Sequence, residues 1–191
     1  MLPSLALTLP LASALLIMSA TRPMKTLSAF ISVAAVLGSF GCACAIFFKE
    51  VAVAPALSWI NLGPAFQVPL GLTLDPLSRS MLFMVTGVGS LIHIYSLCYM
   101  REDEGKSRYF ASLSLFMFAM LGIVLANNFV LMFIFWELVG VSSYLLIGHW
   151  YDRASAADAA KKAVIANPPG GFGFMPGIPR AWAARGWLVS A

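Results

Sequence analysis

The sequence predicts an all-α polytopic membrane protein with about five transmembrane helices and a partial sixth. Hydrophobic residues make up 60% of the chain and charged residues only 10%, whereas soluble domains carry about 25% charged residues. The charged side chains fall almost entirely between long uncharged runs. A run of about 20 apolar residues crosses the hydrocarbon core as a helix. Because backbone groups in lipid must bond within the protein, helices are the expected class.

Five spans follow from the gaps between charged residues. No basic residue precedes the first run, so we interpret it as a retained helix rather than a cleaved signal peptide. Asn127 and Asn128 leave so short a turn that the last two helices must form an antiparallel hairpin. The predicted spans are Leu2 to Ala20, Thr26 to Phe48, Leu77 to Tyr99, Tyr109 to Leu125 and Phe129 to Trp150.

The connection between the second and third spans is long and rich in proline and glycine. Residues 67–74 alternate enough between apolar and polar side chains to predict a small strand or hairpin, which caps one face of the membrane domain. Asp75 followed by Pro76 is typical of a helix N-cap with proline at the first helical position. We therefore expect the third helix to begin there.

Basic residues predict the orientation, because cytoplasmic loops carry an excess of Lys and Arg. This places the N-terminus outside and residues 101–108 in the cytoplasm. The net charge of +4 reflects this topology rather than a basic surface stripe, so we predict no nucleic-acid partner. One side collects Arg22, Lys25, Arg101, Lys106, Arg108 and Arg153, and the other has Lys49 and Arg79.

The sixth helical segment is predicted from Ser155 to Asn167, an alanine-rich stretch. Pro168 and Pro169 follow it, and proline in a helix interior removes a hydrogen bond and clashes with the preceding turn. We therefore expect the helix to end at Asn167, too short for a full span. The tail, 168–191, is predicted to be poorly ordered.

Glu137 is the one acidic residue in the run from Phe129 to Trp150, and it lies near the middle of that run. A carboxyl group deep in hydrocarbon costs roughly 2.5–3.5 kcal/mol even on lenient insertion scales. One interpretation is a proton-translocating site whose proton affinity burial raises and a nearby cation lowers. The alternative is a structural carboxyl that bonds to Ser142, Ser143 or a neighbouring helix.

Lys161 and Lys162 are the second candidate feature, with few other polar residues near them. An exposed intrahelical pair with Asp158 is the alternative interpretation. From the helical rise we expect no direct contact between Lys162 and Glu137. His93 and His149 are weaker candidates for a proton relay, because a histidine near a membrane interface is more often a polar anchor.

The three cysteines, Cys42, Cys44 and Cys98, form no Cys-x-x-Cys pair and have no neighbouring histidine. We predict small buried thiols and no metal site. The chain also contains no nucleotide-binding glycine loop and no haem or iron–sulfur ligand set. We therefore predict no cofactor-binding residues, so any redox chemistry must lie on other chains.

Several motifs together resemble the amino-terminal part of a known family, over about residues 1–167. They are Leu74-Asp75-Pro76-Leu77-Ser78, the run from Gly89 to Ser96 leading to Tyr99-Met100, Phe135-Trp136-Glu137-Leu138-Val139-Gly140, Ser143-Tyr144-Leu145-Leu146-Ile147-Gly148, and Ala156 to Ala163. The family is NADH-quinone oxidoreductase subunit L (chain 5), the antiporter-like, proton-pumping subunit of respiratory complex I. The order and spacing of the motifs make the resemblance specific.

The resemblance implies a subunit that couples electron transfer to proton translocation in a bacterial inner membrane. It implies that Glu137 is a key protonatable residue and that Lys162 belongs to a hydrophilic axis. NADH, FMN, iron–sulfur clusters and quinone would be bound elsewhere in the complex. The implied partners are the other membrane and peripheral subunits, protons and the lipid bilayer.

The chain departs from the family after residue 167. Where the family usually continues Asn-Arg-Val-Gly-Asp-Phe-Gly-Phe, residues 167–174 read Asn-Pro-Pro-Gly-Gly-Phe-Gly-Phe. We therefore expect residues 1–167 to be the N-terminal part of an antiporter-like membrane domain and 168–191 an aberrant tail, as in a truncated protein. Two other hypotheses remain: a subunit of a cation/proton antiporter or membrane hydrogenase, and an inert structural remnant that inserts but does not pump.

Overall fold

A computed structural model describes residues 1–49, 56–61 and 67–185 of the chain. Six helices and one two-stranded hairpin account for most of these residues. The helices are α1 (Leu2–Leu16), α2 (Lys25–Phe48), α3 (Pro76–Tyr99), α4 (Lys106–Leu125), α5 (Phe129–Ile147) and α6 (Ala154–Arg185), and the strands are β1 (Leu57–Asn61) and β2 (Gln67–Leu70). A π-helical turn, Ile17–Thr21, extends α1, and a 3₁₀ turn, Gly148–Trp150, follows α5.

Five of the described helices are long and apolar enough to cross a membrane, namely α1 with its π-helical turn, α2, α3, α4, and α5 with its 3₁₀ turn. They coincide with the five predicted spans within a few residues at each end. The predicted helical membrane class is confirmed. The chain is an integral membrane protein.

Helix α4 is the central element of the bundle. It packs against α1, α2, α3 and α5, and it is the most buried of the five candidate spans. One apolar cluster, around Leu82, Met117 and Leu121, fills the half of the bundle nearer the hairpin. A second cluster, around Ile17, Met100 and Phe110, fills the opposite half. The predicted antiparallel hairpin of the fourth and fifth helices is confirmed, with only residues 126–128 between α4 and α5.

Serine side chains join the helices where their backbones approach closely. The hydroxyl groups of Ser32 in α2 and Ser114 in α4 are 2.7 Å apart, and both residues are fully buried. Ser39 of α2 donates to the carbonyl oxygen of Ala6 in α1 at 2.9 Å. Small residues at helix interfaces permit close packing in lipid, and interhelical hydrogen bonds add modestly to stability. These contacts fix how α1, α2 and α4 meet.

The hairpin predicted between the second and third helices is present, with β1 and β2 antiparallel. The second strand ends at Leu70, before the predicted end of the alternating segment. The Thr73 backbone N–H donates to the Leu125 carbonyl oxygen at 2.9 Å, and the Asn128 side chain donates to the Pro69 carbonyl oxygen at 2.7 Å. The hairpin is therefore fastened to the turn between α4 and α5.

The predicted start of the third helix is confirmed. The Asp75 carboxylate accepts a hydrogen bond from the Ser78 backbone N–H at 2.6 Å, as an N-cap does. This bond to the backbone, together with one from the Ser78 side chain, lowers the pKa of Asp75 below its ordinary value.

The predicted end of the sixth helix at Asn167 is wrong. Helix α6 continues through Pro168 and Pro169 to Arg185. Phe174, beyond the prolines, stacks on Phe133 of α5 with ring centroids 5.7 Å apart and also meets Phe129 edge-on. Packing against α5 holds the second half of α6 in place despite the hydrogen bonds that the prolines remove. The prediction of a poorly ordered tail over 168–191 stays a prediction; α6 includes residues 168–185, and 186–191 lie outside the described residues.

We predict that the variant Gly122→Ala destabilises the bundle. A Cβ atom at residue 122 of α4 would overlap the Phe135 ring of α5, and overpacking of a core costs about 1–3 kcal/mol. The midpoint of thermal unfolding in detergent should fall. Gly41→Ala is the matched control, because a Cβ there meets nothing within 4 Å. Equal midpoints for the two variants would contradict the packing of α4 on α5 described here.

Candidate functional site

Glu137 lies near the middle of α5, about 12 Å from the start of the helix and about 15 Å from its end at 1.5 Å per residue. Its side chain is half-buried. Helix α5 is the least buried of the five candidate spans and packs against α4 and α6. The structure thus places the predicted carboxyl at mid-depth of a membrane-spanning helix.

The first serine that follows Glu137 on α5 bonds to its own helix. Ser142 donates its hydroxyl hydrogen to backbone carbonyl oxygens of its own helix, those of Leu138 at 2.8 Å and Val139 at 3.0 Å. In the described part of the chain, the Lys161 ammonium pairs with the Asp158 carboxylate and His149 contacts the Asp103 carboxylate, and no such contact involves Glu137. Ser142 is thus occupied by its own helix, and the structural alternative for Glu137, a bond to Ser142, Ser143 or a neighbouring helix, stays a prediction.

The two lysines of α6 are both exposed. Lys161 pairs with Asp158 at 3.5 Å within the helix. This is the exposed intrahelical pair given as the alternative interpretation of the sequence. Lys162 lies beside it and, within the described residues, forms no ion pair with Glu137. Helix α6 packs against α5, so Lys162 and Glu137 belong to adjacent helices. The expectation that they do not touch agrees with the structure.

His93 is a buried polar residue on α3, 1% exposed. Its Nδ1 lies 2.8 Å from the Gly89 carbonyl oxygen. Since a carbonyl oxygen only accepts, Nδ1 carries the hydrogen in this bond and Nε2 is left as an acceptor. Nε2 is buried and has no hydrogen-bond partner among the residues that the structure describes, and the residue lines an apolar cavity of about 280 Å³ between α3 and α4. An unpaired buried acceptor is a place for a proton donor or a water molecule.

A cluster that sequence reasoning missed lies at the end of the bundle opposite the hairpin. The Asp103 carboxylate accepts hydrogen bonds from the Trp150 indole N–H at 2.8 Å, the Gly105 backbone N–H at 2.6 Å and His149 Nε2 at 3.2 Å. These four residues are called the Asp103 cluster below. They fasten the loop between α3 and α4 to the end of α5. The interpretation of His149 as a polar anchor is confirmed by this arrangement.

The Asp103 cluster controls the acidity of its carboxyl group. Burial acts to raise the pKa of Asp103, but the hydrogen bonds from Trp150, His149 and Gly105 outweigh it, so the pKa lies below the ordinary value of 3.8. The carboxylate is therefore charged at neutral pH. The sequence shows only an acidic residue in the loop before α4 and a His-Trp pair at the end of the last span, and neither indicates that they meet.

The same end of the bundle carries a polar cavity of about 520 Å³. It is lined by Arg22 after α1, by the loop between α3 and α4, and by residues 149–152 after α5. These three connections were predicted to share one side of the membrane, and their common cavity confirms that they share one end of the bundle.

The cysteines are free thiols. Cys42 and Cys44 are half-buried and Cys98 is exposed on α3, so the prediction that all three are buried is wrong. Helix α3 turns this face outward because its buried face carries Leu82, Thr86, Ser90, His93 and Ser96. Among the residues that the structure describes, no three His, Cys, Asp or Glu side chains are grouped as metal ligands.

Two family profiles match the chain in order. The profile described as NADH-ubiquinone oxidoreductase (complex I), chain 5 N-terminus, matches residues 59–110, and that described as NADH:quinone oxidoreductase/Mrp antiporter, TM, matches residues 126–189. The chain belongs to this family of antiporter-like membrane subunits. The resemblance seen in the sequence motifs is thereby confirmed, and Glu137 lies within the second matched segment.

Individual relatives agree. The chain is 38% identical to NADH-quinone oxidoreductase subunit L of Mycobacterium tuberculosis over 98% of its length, and 47% identical to NAD(P)H-quinone oxidoreductase chain 5 of Synechocystis sp. over 70%. It covers 31% and 19% of these two proteins. The chain thus spans a third or less of the length of the curated relatives it matches.

A solved structure of the Mrp complex from Dietzia sp. superposes on 99% of this chain with a TM-score of 0.82 and 27% identity. This chain covers 20% of the matched one. The membrane-bound sulfane sulfur reductase, an archaeal respiratory complex, superposes with a TM-score of 0.78 at 19% identity, over 98% of this chain and 38% of the other. The second likeness concerns the fold alone.

We predict that Asp103→Asn loosens the loop between α3 and α4. An amide offers one acceptor oxygen where the carboxylate offers two, so at least one donor of the cluster loses its partner. Leaving a buried donor unsatisfied costs about 1–3 kcal/mol. Limited proteolysis in this loop should become faster. Glu104→Gln is the matched control, an exposed carboxylate next in the loop, and equal cleavage of the two variants would contradict the cluster.

The contribution of Asp103 to stability should depend on pH. Its pKa is lower in the folded protein than its ordinary value of 3.8. The contribution is therefore complete above that ordinary value and is lost as the pH falls through the lower folded pKa. The difference in melting temperature between the wild type and Asp103→Asn should shrink below pH 3.8. A difference that grows on acidification would show that the sign is wrong.

Proposed function

We propose that this chain is the amino-terminal part of the proton-translocating, antiporter-like subunit of a membrane NADH:quinone oxidoreductase. The observation that carries the proposal is Glu137, a half-buried carboxyl at mid-depth of α5 without an ion pair among the described residues. Membership in the family of chain 5 subunits supports it. The enzyme activity belongs to the assembled complex, of which this chain is one subunit.

Glu137 holds and releases the proton in this proposal. In hydrocarbon the neutral acid is favoured, and an approaching cation favours the carboxylate. A change in charge or conformation relayed from the redox subunits switches the group between these two states. The Glu137 side chain then takes up a proton from one side of the membrane and releases it toward the opposite side.

Lys162 and His93 are the further members of the proposed proton path. Lys162 lies on α6, which packs against α5, and communicates with Glu137 through water or an intervening side chain rather than by contact. His93 offers Nε2 as an unpaired acceptor in the interior of the bundle. A neutral histidine that donates through Nδ1 and accepts through Nε2 passes a proton on by changing tautomer.

The redox chemistry is proposed to lie on other chains. NADH, FMN, the iron–sulfur clusters and quinone are bound there, and this chain binds none of these cofactors. Its partners are the other membrane and peripheral subunits of the complex, the lipid bilayer and protons. Basic residues are in excess at the end of the bundle opposite the hairpin, so this end faces the cytoplasm. The N-terminus therefore lies outside a bacterial inner membrane.

A cation/proton antiporter is the second candidate function. The superposition on a chain of the Dietzia sp. Mrp complex favours it, and the second family profile names both kinds of protein. The same groups would serve, because an antiporter also needs a carboxyl that exchanges a proton for a cation. A membrane hydrogenase subunit is a variant of the same proposal.

We predict that Glu137→Gln in the full-length subunit impairs proton translocation. The amide keeps the size of the side chain but does not titrate, so this subunit cannot load a proton. In proteoliposomes of the assembled complex, proton uptake per NADH oxidised should fall to what the remaining subunits supply. Quenching of an acridine dye reports uptake, and absorbance reports NADH oxidation.

Glu104→Gln is the control, because it makes the same chemical change in an exposed loop. Unchanged proton uptake per NADH in Glu137→Gln would sink the proposed function. Exchange of sodium for protons without NADH or quinone would favour the antiporter instead. Normal assembly with no effect of Glu137→Gln on either activity would favour the inert remnant.

A further inference from the structure

Two cavities at the end of the bundle opposite the hairpin form a two-part groove. No part of the proposed function uses this groove. The polar cavity of about 520 Å³ adjoins an apolar one of about 190 Å³, and three residues line both: Arg22, Ser107 and Arg108. The apolar part is lined by side chains of the π-helical turn, α4 and α5, among them Ile17, Leu115 and Leu145. A polar mouth that continues into an apolar slot at the membrane surface has the shape of a phospholipid.

Ser107 marks the junction of the two parts as a built site. It is 4% exposed, and its buried Oγ has no hydrogen-bond partner within the described part of the chain. A buried hydroxyl normally finds a partner, so its position on both cavities calls for a ligand atom there. Ser107 also lies in the first turn of α4, whose N-cap, Gly105, has no side chain to cap it. Free backbone N–H groups at a helix N-terminus favour a phosphate group.

The charges of the mouth select the kind of headgroup. Arg22 is exposed and Arg108 donates from one nitrogen to the His149 carbonyl oxygen at 2.9 Å, which leaves most of its N–H groups for a phosphate. Exposed carboxylates line the same cavity, so a purely anionic headgroup would meet repulsion. A headgroup with both a phosphate and an ammonium group meets complementary charges. The carboxylates are Glu102, Glu104 and Asp152.

We propose that this groove binds one molecule of phosphatidylethanolamine. The phosphate lies at Arg22, Arg108 and Ser107, the ammonium faces the exposed carboxylates, and an acyl chain enters the slot between the π-helical turn, α4 and α5. Trp150 and Tyr151 line the mouth, as aromatic side chains do at the headgroup level. The lipid would thereby hold the ends of α1 and α5 against the start of α4. The proposal does not rest on proton translocation.

The test uses the full-length subunit in its assembled complex, placed in vesicles of phosphatidylethanolamine and phosphatidylglycerol in equal amounts. A trace of either lipid carries a photoreactive diazirine on one acyl chain, and labelled peptides are identified by mass spectrometry. The phosphatidylethanolamine probe should label peptides that contain Leu115 and Leu145. Arg22→Ala should lower this labelling about tenfold, as expected for losing one charge-assisted hydrogen bond of about 1.4 kcal/mol.

Arg101→Ala is the matched control, since Arg101 is an exposed cation at the same end of the bundle, in the loop between α3 and α4, and is not among the residues that line the two cavities. Ser107→Ala should also lower labelling while keeping both arginines, and it serves if Arg22→Ala fails to assemble. Combining Glu102→Gln with Asp152→Asn should reduce the preference over phosphatidylglycerol. Equal labelling by both probes, an equal effect of Arg101→Ala, or a protein segment cross-linked into the groove would each overturn the proposal.

Discussion

A polar group surrounded by hydrocarbon has to find its partner inside the protein, and this constraint organises the bundle. The hydroxyl groups of Ser32 and Ser114 meet each other, and Ser39 meets a backbone oxygen of α1. Each pairing brings two helices into register. The polar atoms left over are few in the described part of the chain, and the functional proposals concern Glu137, His93 and Ser107. Some polar residues therefore join the helices, and others carry the proposed functions.

The sequence predicted the membrane class and the five spans because charge is expensive in lipid. Long uncharged runs indicate membrane helices. Asp75 followed by Pro76 marks the start of a helix, and this signal does not depend on distant residues. Glu137 was found for the same reason, because the sequence alone shows a carboxyl group in an apolar run, where its insertion into hydrocarbon costs free energy. The hairpin was predicted from alternation over residues 67–74, although its pairing ends earlier, at Leu70.

The errors and omissions concern contacts between residues far apart in the chain. Local rules stop a helix at Pro168, whereas α6 continues and its Phe174 packs on Phe133 of α5. The Asp103 cluster joins groups 46 and 47 positions apart, and no periodicity signals such a pairing. The unpaired state of Ser107 is likewise invisible in a sequence, because serine is common on helix surfaces. The partners of these side chains are set by tertiary packing, which local sequence patterns do not reveal.

The Asp103 cluster also sets a sequence of events during biogenesis. Residue 103 leaves the ribosome well before residues 149 and 150, and two complete membrane helices, α4 and α5, are made in between. The carboxylate therefore waits, bonded to water, until α5 has inserted and delivers Trp150 and His149 to it. Fastening of this loop therefore follows the insertion of α5, and a chain stalled within α5 lacks the partners of this carboxylate.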